Sequence, residues 1–387
     1  MGKVDQKNFK MLAKCFYGFE EILCEELLGL GAQKIQIGRR NVSFYGDKGF
    51  MYKANLSLRT ALKILKPILE FQFSDINSFY DKIYKFKWES LLGVDSRFII
   101  NSSVFHSKIF NNSKFTSLKA KDAIVDRFRN KFSKRPNIDA INPDLKIDIH
   151  INKSTCTVSL DSSGESLHKR EYKKYNSFAP LNEVLAAGLI LLSGWRGKID
   201  FLDPMCGCGT ILIEAAMIAG NIPPNLHRSS FAFEKWNDWD QELFNIIEES
   251  LTKKINKINC KIFGYDISNV MIRKCKKNIE EYDIDFKINV ETRDFFKSKK
   301  LNKERLQIIV NPPYDKRIPT DFKSFYSEIG NTLKRNYDNT SSWIFTANMN
   351  AIKCIGLRTS KRIKLFNSSL ESRFLNYQIY SGSKKEK

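Results

Sequence analysis

The sequence predicts an α/β protein in two parts, an α+β module followed by a doubly wound, largely parallel sheet. Three observations carry this. From Pro180 onward, apolar strand-length runs alternate with helical periods, as βα units require. Before residue 165 the clearest pattern is instead a hairpin, in which Leu145, Ile147, Ile149 and Ile151 alternate with Lys146, Asp148 and His150. Between them, Gly164–Ser177 (GESLHKREYKKYNS) is polar and basic and reads as a linker or a strap. A chain of 387 residues, 42% of them apolar, is long enough for two or three domains with real cores.

The elements follow in order. Residues to about 60 mix strand and helix. Glu20–Leu30 reads as a helix with Ile22, Leu23 and Leu27 on one face and Gly31 as its stop. Asn41–Phe44 and Arg97–Phe105 read as strands. Residues 117–132 form an amphipathic helix, with Ala120, Ile124, Phe128 and Phe132 expected on the core side. After the hairpin's first strand, Asn152–Ser154 turns the chain, and Cys156, Val158 and Leu160 alternate again. The second part reads helix Leu181–Leu192, strand Lys198–Leu202, helix Ile211–Gly220, and an insertion with a further helix over 221–260. Strand Lys261–Tyr265, helix Asn269–Tyr282, strands Phe286–Thr292 and Leu306–Val310 and helix Phe322–Leu333 come next. Strand Ser342–Ala347 and strands near Arg362–Phe366 and Asn376–Tyr380 complete it, before a polar Gly382–Lys387 tail. Ligands of such sheets bind at the carboxyl ends of the strands, near the switch in strand order.

Lys and Arg number 64 against 43 Asp and Glu, a net charge of +21. That excess favours a polyanionic partner, nucleic acid or an acidic membrane surface. The eight cysteines form no CxxC pairs, so reduced thiols are expected rather than a disulfide frame, and Cys206 and Cys208 lack the second ligand pair of a zinc site. The first ten residues hold no apolar core of a signal peptide, and Gln6 stands where a myristoylation signal needs Ser or Thr. The longest apolar run, Leu185–Leu192, is too short to span a bilayer. A soluble cytoplasmic protein without membrane or metal partners is expected; nothing specifies an oligomeric state.

Four motifs carry chemistry. In FLDPMCGCGTILIEAA (201–216) an apolar strand ends at Asp203, and a tight loop with Gly207 and Gly209 leads into a helix at Thr210. The glycines let backbone approach a ligand, and the helix start offers free N–H groups. Such a loop also serves as a generic βα turn; it departs from GxGxxG because Leu212 holds the third glycine's place. Gly264-Tyr265-Asp266 closes the next strand with a carboxylate that can accept both hydroxyls of a ribose or cap a helix. Asp294, after the third strand, reads by itself as a plain loop residue, or as one that holds an adenine amine with Phe295 beside the ring. In IIVNPPYDKR (308–317) a strand ends in Asn311-Pro312-Pro313-Tyr314. Two prolines remove two N–H donors and stiffen the backbone. What remains is an acceptor pair, the Asn311 side-chain oxygen and the Pro312 carbonyl, beside the Tyr314 ring. That set suits a planar group bearing an NH₂, held with its nitrogen aimed at an electrophile.

DPMCGCGT with GYD and NPPY resembles the class I S-adenosyl-L-methionine-dependent methyltransferases that act on amines. The segments 168–195, 226–236 and 117–140 resemble the THUMP-domain RNA methyltransferases. Among these, they resemble the amino-terminal half of the guanine-N2 methyltransferases of large-subunit ribosomal RNA (RlmL). The resemblance runs over nearly the whole chain. It implies a Rossmann-like class I methyltransferase domain over 166–387, behind a ferredoxin-like region over 1–60 and a THUMP RNA-binding domain over 61–165. It implies that Asp203, Cys206, Gly207 and Gly209 line the methionine and ribose end of the cofactor. Asp266 would then bind the ribose, Asp294 the adenine, and Asn182 would touch the cofactor. Asn311, Pro312, Pro313 and Tyr314 would form the catalytic clamp on the guanine amine. The implied cofactor is S-adenosyl-L-methionine, which carries the hard chemistry without a metal. The implied partner is ribosomal RNA or a pre-ribosomal particle, gripped by the basic module and by a strap at 168–175, with Tyr172, Tyr175 or Phe178 stacking on bases or packing in the core. Cys208 stands where relatives often carry Ser. The sequence stops after one catalytic domain, so only the N2 activity is expected. The same amine chemistry also fits a transfer-RNA guanine-N2 enzyme, an adenine-N6 enzyme or a protein glutamine methyltransferase. An RNA-binding assembly factor would need no cofactor loop.

Overall fold

The computed structural model describes residues 8–175, 180–282, 287–313 and 321–381. Phe178, Phe286, Tyr314 and the Gly382–Lys387 tail lie outside the described residues.

The N-terminal part comprises β1 (Phe9–Cys15), α1 (Glu20–Leu30), β2 (Gln33–Gly38), β3 (Asn41–Gly46), α2 (Lys48–Ser57) and β4 (Ala61–Gln72). It continues with α3 (Ile76–Lys85), β5 (Arg97–Phe105), α4 (Ser113–Phe132), β6 (Asn137–Ile138), β7 (Leu145–Asn152) and β8 (Thr155–Asp161). Among the described residues these eight strands form one sheet, in the order β2-β3-β1-β4-β8-β7-β5-β6. β4 joins its halves, pairing antiparallel with β1 on one side and β8 on the other. Local chemistry sets the helix ends. Gly31 takes the left-handed conformation, φ 96°, that ends α1 and frees its amide for the Leu27 and Leu28 carbonyls. Asp47 and Asn112 cap α2 and α4 through their side chains. Ala120, Ile124 and Phe128 of α4 are buried, but Phe132 is 43% exposed. It sits on the last turn, with its ring 5.7 Å from that of Phe128 and beneath the Lys131 ammonium.

The second part comprises α5 (Glu183–Leu192), β9 (Asp200–Asp203), α6 (Thr210–Ala219), α7 (Gln241–Thr252), β10 (Ile262–Asp266), α8 (Asn269–Glu280) and β11 (Ile288–Thr292). Then come β12 (Leu306–Val310), α9 (Phe322–Asn336), β13 (Thr340–Thr346), α10 (Met349–Ile352), β14 (Lys361–Asn367) and β15 (Leu370–Ile379). The sheet order is β11-β10-β9-β12-β13-β15-β14. The first five strands run parallel, and β15 and β14 add antiparallel. Among the described residues no helix is long and apolar enough to cross a membrane.

The two sheets share one apolar core cluster. Phe19, at the start of α1, packs so tightly on Gly188 of α5 that any side chain there would overlap its ring. The 221–260 insertion reaches back to α2: the Tyr52 ring lies 4.6 Å from Phe233 and 5.2 Å from Trp239. The Gly164–Ser177 segment has no helix or strand in its described residues, yet it is no solvated tether. Leu167, Arg170 and Tyr172 are buried in it. The Arg170 guanidinium meets Glu214 of α6 at 3.1 Å and donates to the Arg59 carbonyl at 2.6 Å, and the Tyr172 hydroxyl donates to Glu214 at 2.9 Å. Tyr172 is therefore a core residue.

Candidate active site

The order β9-β12 is where the strand sequence reverses, and a crevice opens there beyond the carboxyl ends. It holds a cavity of about 400 Å³, within the range of small-molecule sites. The ends of four neighbouring strands supply its polar lining: Asp203 from β9, Asp266 from β10, Asp294 beyond β11, and Asn311 beyond β12.

Asp203 is the last residue of β9 and is buried; its Oδ1 accepts the Met205 amide at 3.1 Å. Burial, and then the neighbouring charge of Asp266, push its carboxyl up to about 8. The loop that follows depends on two left-handed residues, Gly207 at φ 53° and Gly209 at φ 88°. Cys206 and Gly207 line the cavity. The Gly207 amide donates to Asp266 Oδ2 at 2.9 Å, which ties the loop to the second strand end. Gly209 faces the other way, and a Cβ on it would lie 2.5 Å from Cys275 Sγ of α8. Its requirement is packing beneath the loop. A hydrogen bond with Cys275, and then burial, push the Cys206 thiol well up. Asp266 also accepts the Ser268 amide at 2.8 Å through Oδ1.

Asp294 accepts the Phe296 amide at 3.0 Å. Phe295 touches the cavity but is buried against Tyr337, with ring centroids 5.4 Å apart. Half-buried Phe296 and Phe325, meeting edge to face at 5.4 Å, add a second aromatic wall. Asn311 and Pro313 line the cavity, and Pro312 between them is buried. The Asn311 Oδ1 atom is buried with no hydrogen-bond partner among the described residues. Tyr314 lies outside the described residues. Asn182 uses its side-chain oxygen to cap α5, accepting the Leu185 amide at 3.2 Å; its neighbours Pro180 and Leu181 line the cavity.

Residues without a local signal also join the site. Met271 of α8 and Arg293 line it, and the Arg293 guanidinium sits 4.8 Å over the Tyr265 ring and 2.7 Å from Glu291. Only the fold brings them there.

Residues 170–375, more than half of the chain, match the family described as RMKL-like, methyltransferase domain. The chain belongs to the RMKL-like methyltransferase family. The family is S-adenosylmethionine-dependent. In this methyltransferase, residues 73–161 match the THUMP domain and residues 10–65 the RlmL ferredoxin-like domain. It is 32% identical over 366 residues to a candidate RNA methyltransferase of Synechocystis, slr0064, covering 94% of this chain and 95% of that one. It is 34% identical over 384 residues to the ribosomal RNA large subunit methyltransferase K/L of Syntrophotalea carbinolica, covering 96% of this chain and 53% of that one. The chain thus spans about half the length of the ribosomal relatives it matches. Among solved structures, a candidate methyltransferase, SMU.472, in complex with S-adenosylhomocysteine superposes with a TM-score of 0.86 at 29% identity, covering 97% of this chain and 100% of that one.

Proposed function

We propose that this methyltransferase modifies the exocyclic N2 amine of a guanine in large-subunit (23S) ribosomal RNA, acting in the cytoplasm. The observation that carries the amine reading is the buried Asn311 Oδ1, an acceptor in the lining of the cavity without a partner among the described residues. An unpaired buried acceptor is costly, so such an atom points to a donor supplied by a ligand. With the Pro312 carbonyl it can take both hydrogens of an NH₂ group. Pro312 and Pro313 hold the two acceptors in place before the base arrives.

The cavity suits the family's methyl donor. Asp203 and Asp266 place two carboxyl groups at one end, complementary to a cationic methionine end and to ribose hydroxyls. Asp294 and the Phe296–Phe325 pair, in the same lining, would take the adenine. S-adenosylmethionine, when bound, supplies an electrophilic methyl group on a sulfonium. Asn311 orients the amine toward it and, by accepting hydrogen bonds, raises electron density on the nitrogen.

The RNA reading rests on the THUMP match, the ribosomal relatives and the charge of +21. On it, residues 1–60 and 61–165 grip folded RNA by phosphate and shape, and residues 166–387 hold the reaction. The guanine must leave any helix to enter the cavity.

The deciding experiment uses a strain lacking the gene. Its ribosomal and transfer RNA are digested separately to nucleosides, and N2-methylguanosine is measured by mass spectrometry against wild type. Loss from large-subunit RNA is the expected result. Loss from transfer RNA alone would change the substrate, and no loss in either would reject the guanine assignment.

A further inference from the structure

We propose that Asn278 of α8 is a positioning residue for the methyl donor, fixing the cofactor loop from behind and tying it to the strap at 168–175. The inference rests on reading the cavity as the donor site.

Asn278 is fully buried, and its amide is bonded in three directions. Nδ2 donates to the Cys208 carbonyl at 3.1 Å and to the Tyr175 carbonyl at 3.0 Å. Oδ1 accepts the Tyr175 amide at 2.9 Å. One side chain therefore links the loop between Gly207 and Gly209, the main chain of the strap, and the helix after the second strand. No other residue type of that size offers two donors and an acceptor in one plane.

The Cys208 contact matters because of its neighbours. Gly207 and Gly209 are both left-handed, so the Cys208 peptide is hinged between the two most permissive residues of the loop. The Cys208 carbonyl is fixed from below by Asn278. Cys275, three residues earlier on the same face of α8, supports Gly209. α8 thus holds the loop at Cys208 and at Gly209, while Met271 of the same helix lines the cavity.

The strap is fastened at the C-terminal end of the same helix and just beyond it. Lys174 pairs with Glu281 at 2.5 Å, the Lys277 ammonium sits 5.0 Å over the Tyr175 ring, and the Tyr172 and Tyr282 rings meet at 5.9 Å. The ion pair is an exposed fastening, and Asn278 is the buried one that also reaches the loop.

Asn278→Asp keeps the size and the acceptor but turns oxygen toward two carbonyls. The full chain is titrated with S-adenosylhomocysteine by calorimetry, its melting temperature is recorded, and kcat and the donor KM are measured on total RNA from a strain lacking the gene. The expected result is a Kd and a KM raised about tenfold or more, from loss of two buried hydrogen bonds, with kcat at saturating donor within about twofold. Lys174→Ala, which cuts only the exposed ion pair, keeps the wild-type Kd. Asn278→Ser carries the same expectation and replaces the aspartate variant if that one fails to fold. A folded variant with a lowered melting temperature but wild-type Kd and KM overturns the proposal and leaves Asn278 a packing residue. If wild type itself binds no S-adenosylhomocysteine, the reading of the cavity fails, and this inference falls with it.

Discussion

In the N-terminal sheet, β7 alternates buried Leu145, Ile147, Ile149 and Ile151 with partly exposed Lys146, Asp148 and His150, whereas every residue of β12 and β13 in the catalytic sheet is buried. At β7 the first sheet has a covered face and a more open polar one; at β12 and β13 the second is covered on both sides. On the more open face of β7, polar groups stand along the strand: Lys14 of β1 reaches Asp148 at 2.9 Å. In the covered sheet, groups that meet a ligand gather at the strand ends, which is where Asp203, Asp266 and Asn311 stand. β7 can present a polar surface, while β12 and β13 can present only their ends.

The largest effect is expected where the two parts join. Glu214 is fully buried between Arg170 and Tyr172, and burial, opposed by Arg170, pushes its carboxyl up to about 7. Glu214→Ala leaves the Arg170 guanidinium buried without its counter-charge. It should cost about 3–5 kcal/mol in chemical denaturation, and a loss under 1 kcal/mol would show that the join tolerates an unpaired charge. Next comes the edge. Asn311→Ala should lower kcat by about 10²–10³-fold, by comparison with removal of one preorganised hydrogen-bonding group elsewhere, with donor and RNA affinity near wild type. Equal turnover would remove Asn311 from the chemistry.

The contrast between the sheets also explains what could be read in advance. The catalytic elements were legible because each is either a run of apolar residues or a helical period, and because the polar strand ends interrupt those runs at Asp203, Asp266 and Asn311. β4 was not legible, since Pro67 argues against a central strand. The chain accommodates it at an irregularity, where the register with β8 shifts between Pro67 and Leu69. The family resemblance implies that Asn182 touches the cofactor; what its own neighbourhood shows is a helix start, where its side-chain oxygen caps α5. Phe132 fits the helical period, yet a period says nothing of where the covering sheet stops. Asn278 and Glu214 carry no local mark, because their partners lie 70 and 103 residues away for Asn278 and 42 for Glu214.

A smaller effect concerns the charge at the edge. Because the fold raises the Asp203 carboxyl to about 8, it favours the protonated form. The associated stability is fully present below the ordinary carboxylate range and is lost as pH rises through about 8. A cationic donor favours the ionised form, so binding below pH 8 should expel a proton. Affinity for S-adenosylmethionine should then climb between pH 6 and 8, by at most about tenfold per unit, and level off above. Calorimetry near pH 7 in two buffers of different ionisation enthalpy reads that proton directly. Asp203→Asn should remove the release, and a wild-type enthalpy independent of buffer would exclude it.

The smallest effect tests the contrast within a single strand. His150 and Ile149 are neighbours in β7 on opposite faces. His150 is partly exposed, and its Nδ1 lies 3.0 Å from Ser103 Oγ of β5, so His150→Ala should change stability by about 0.5 kcal/mol or less. Ile149 is buried, and Ile149→Ala should cost about 2–5 kcal/mol. In β12 the same pair of substitutions, at Ile308 and Ile309, should cost that larger amount at both positions, since both are fully buried. An alternating pattern in β7 beside a uniform one in β12, read by denaturant titration, is what one open and one doubly covered sheet require. A penalty of several kcal/mol at His150 would mean that the open face is covered, and its polar residues would then belong to an interior.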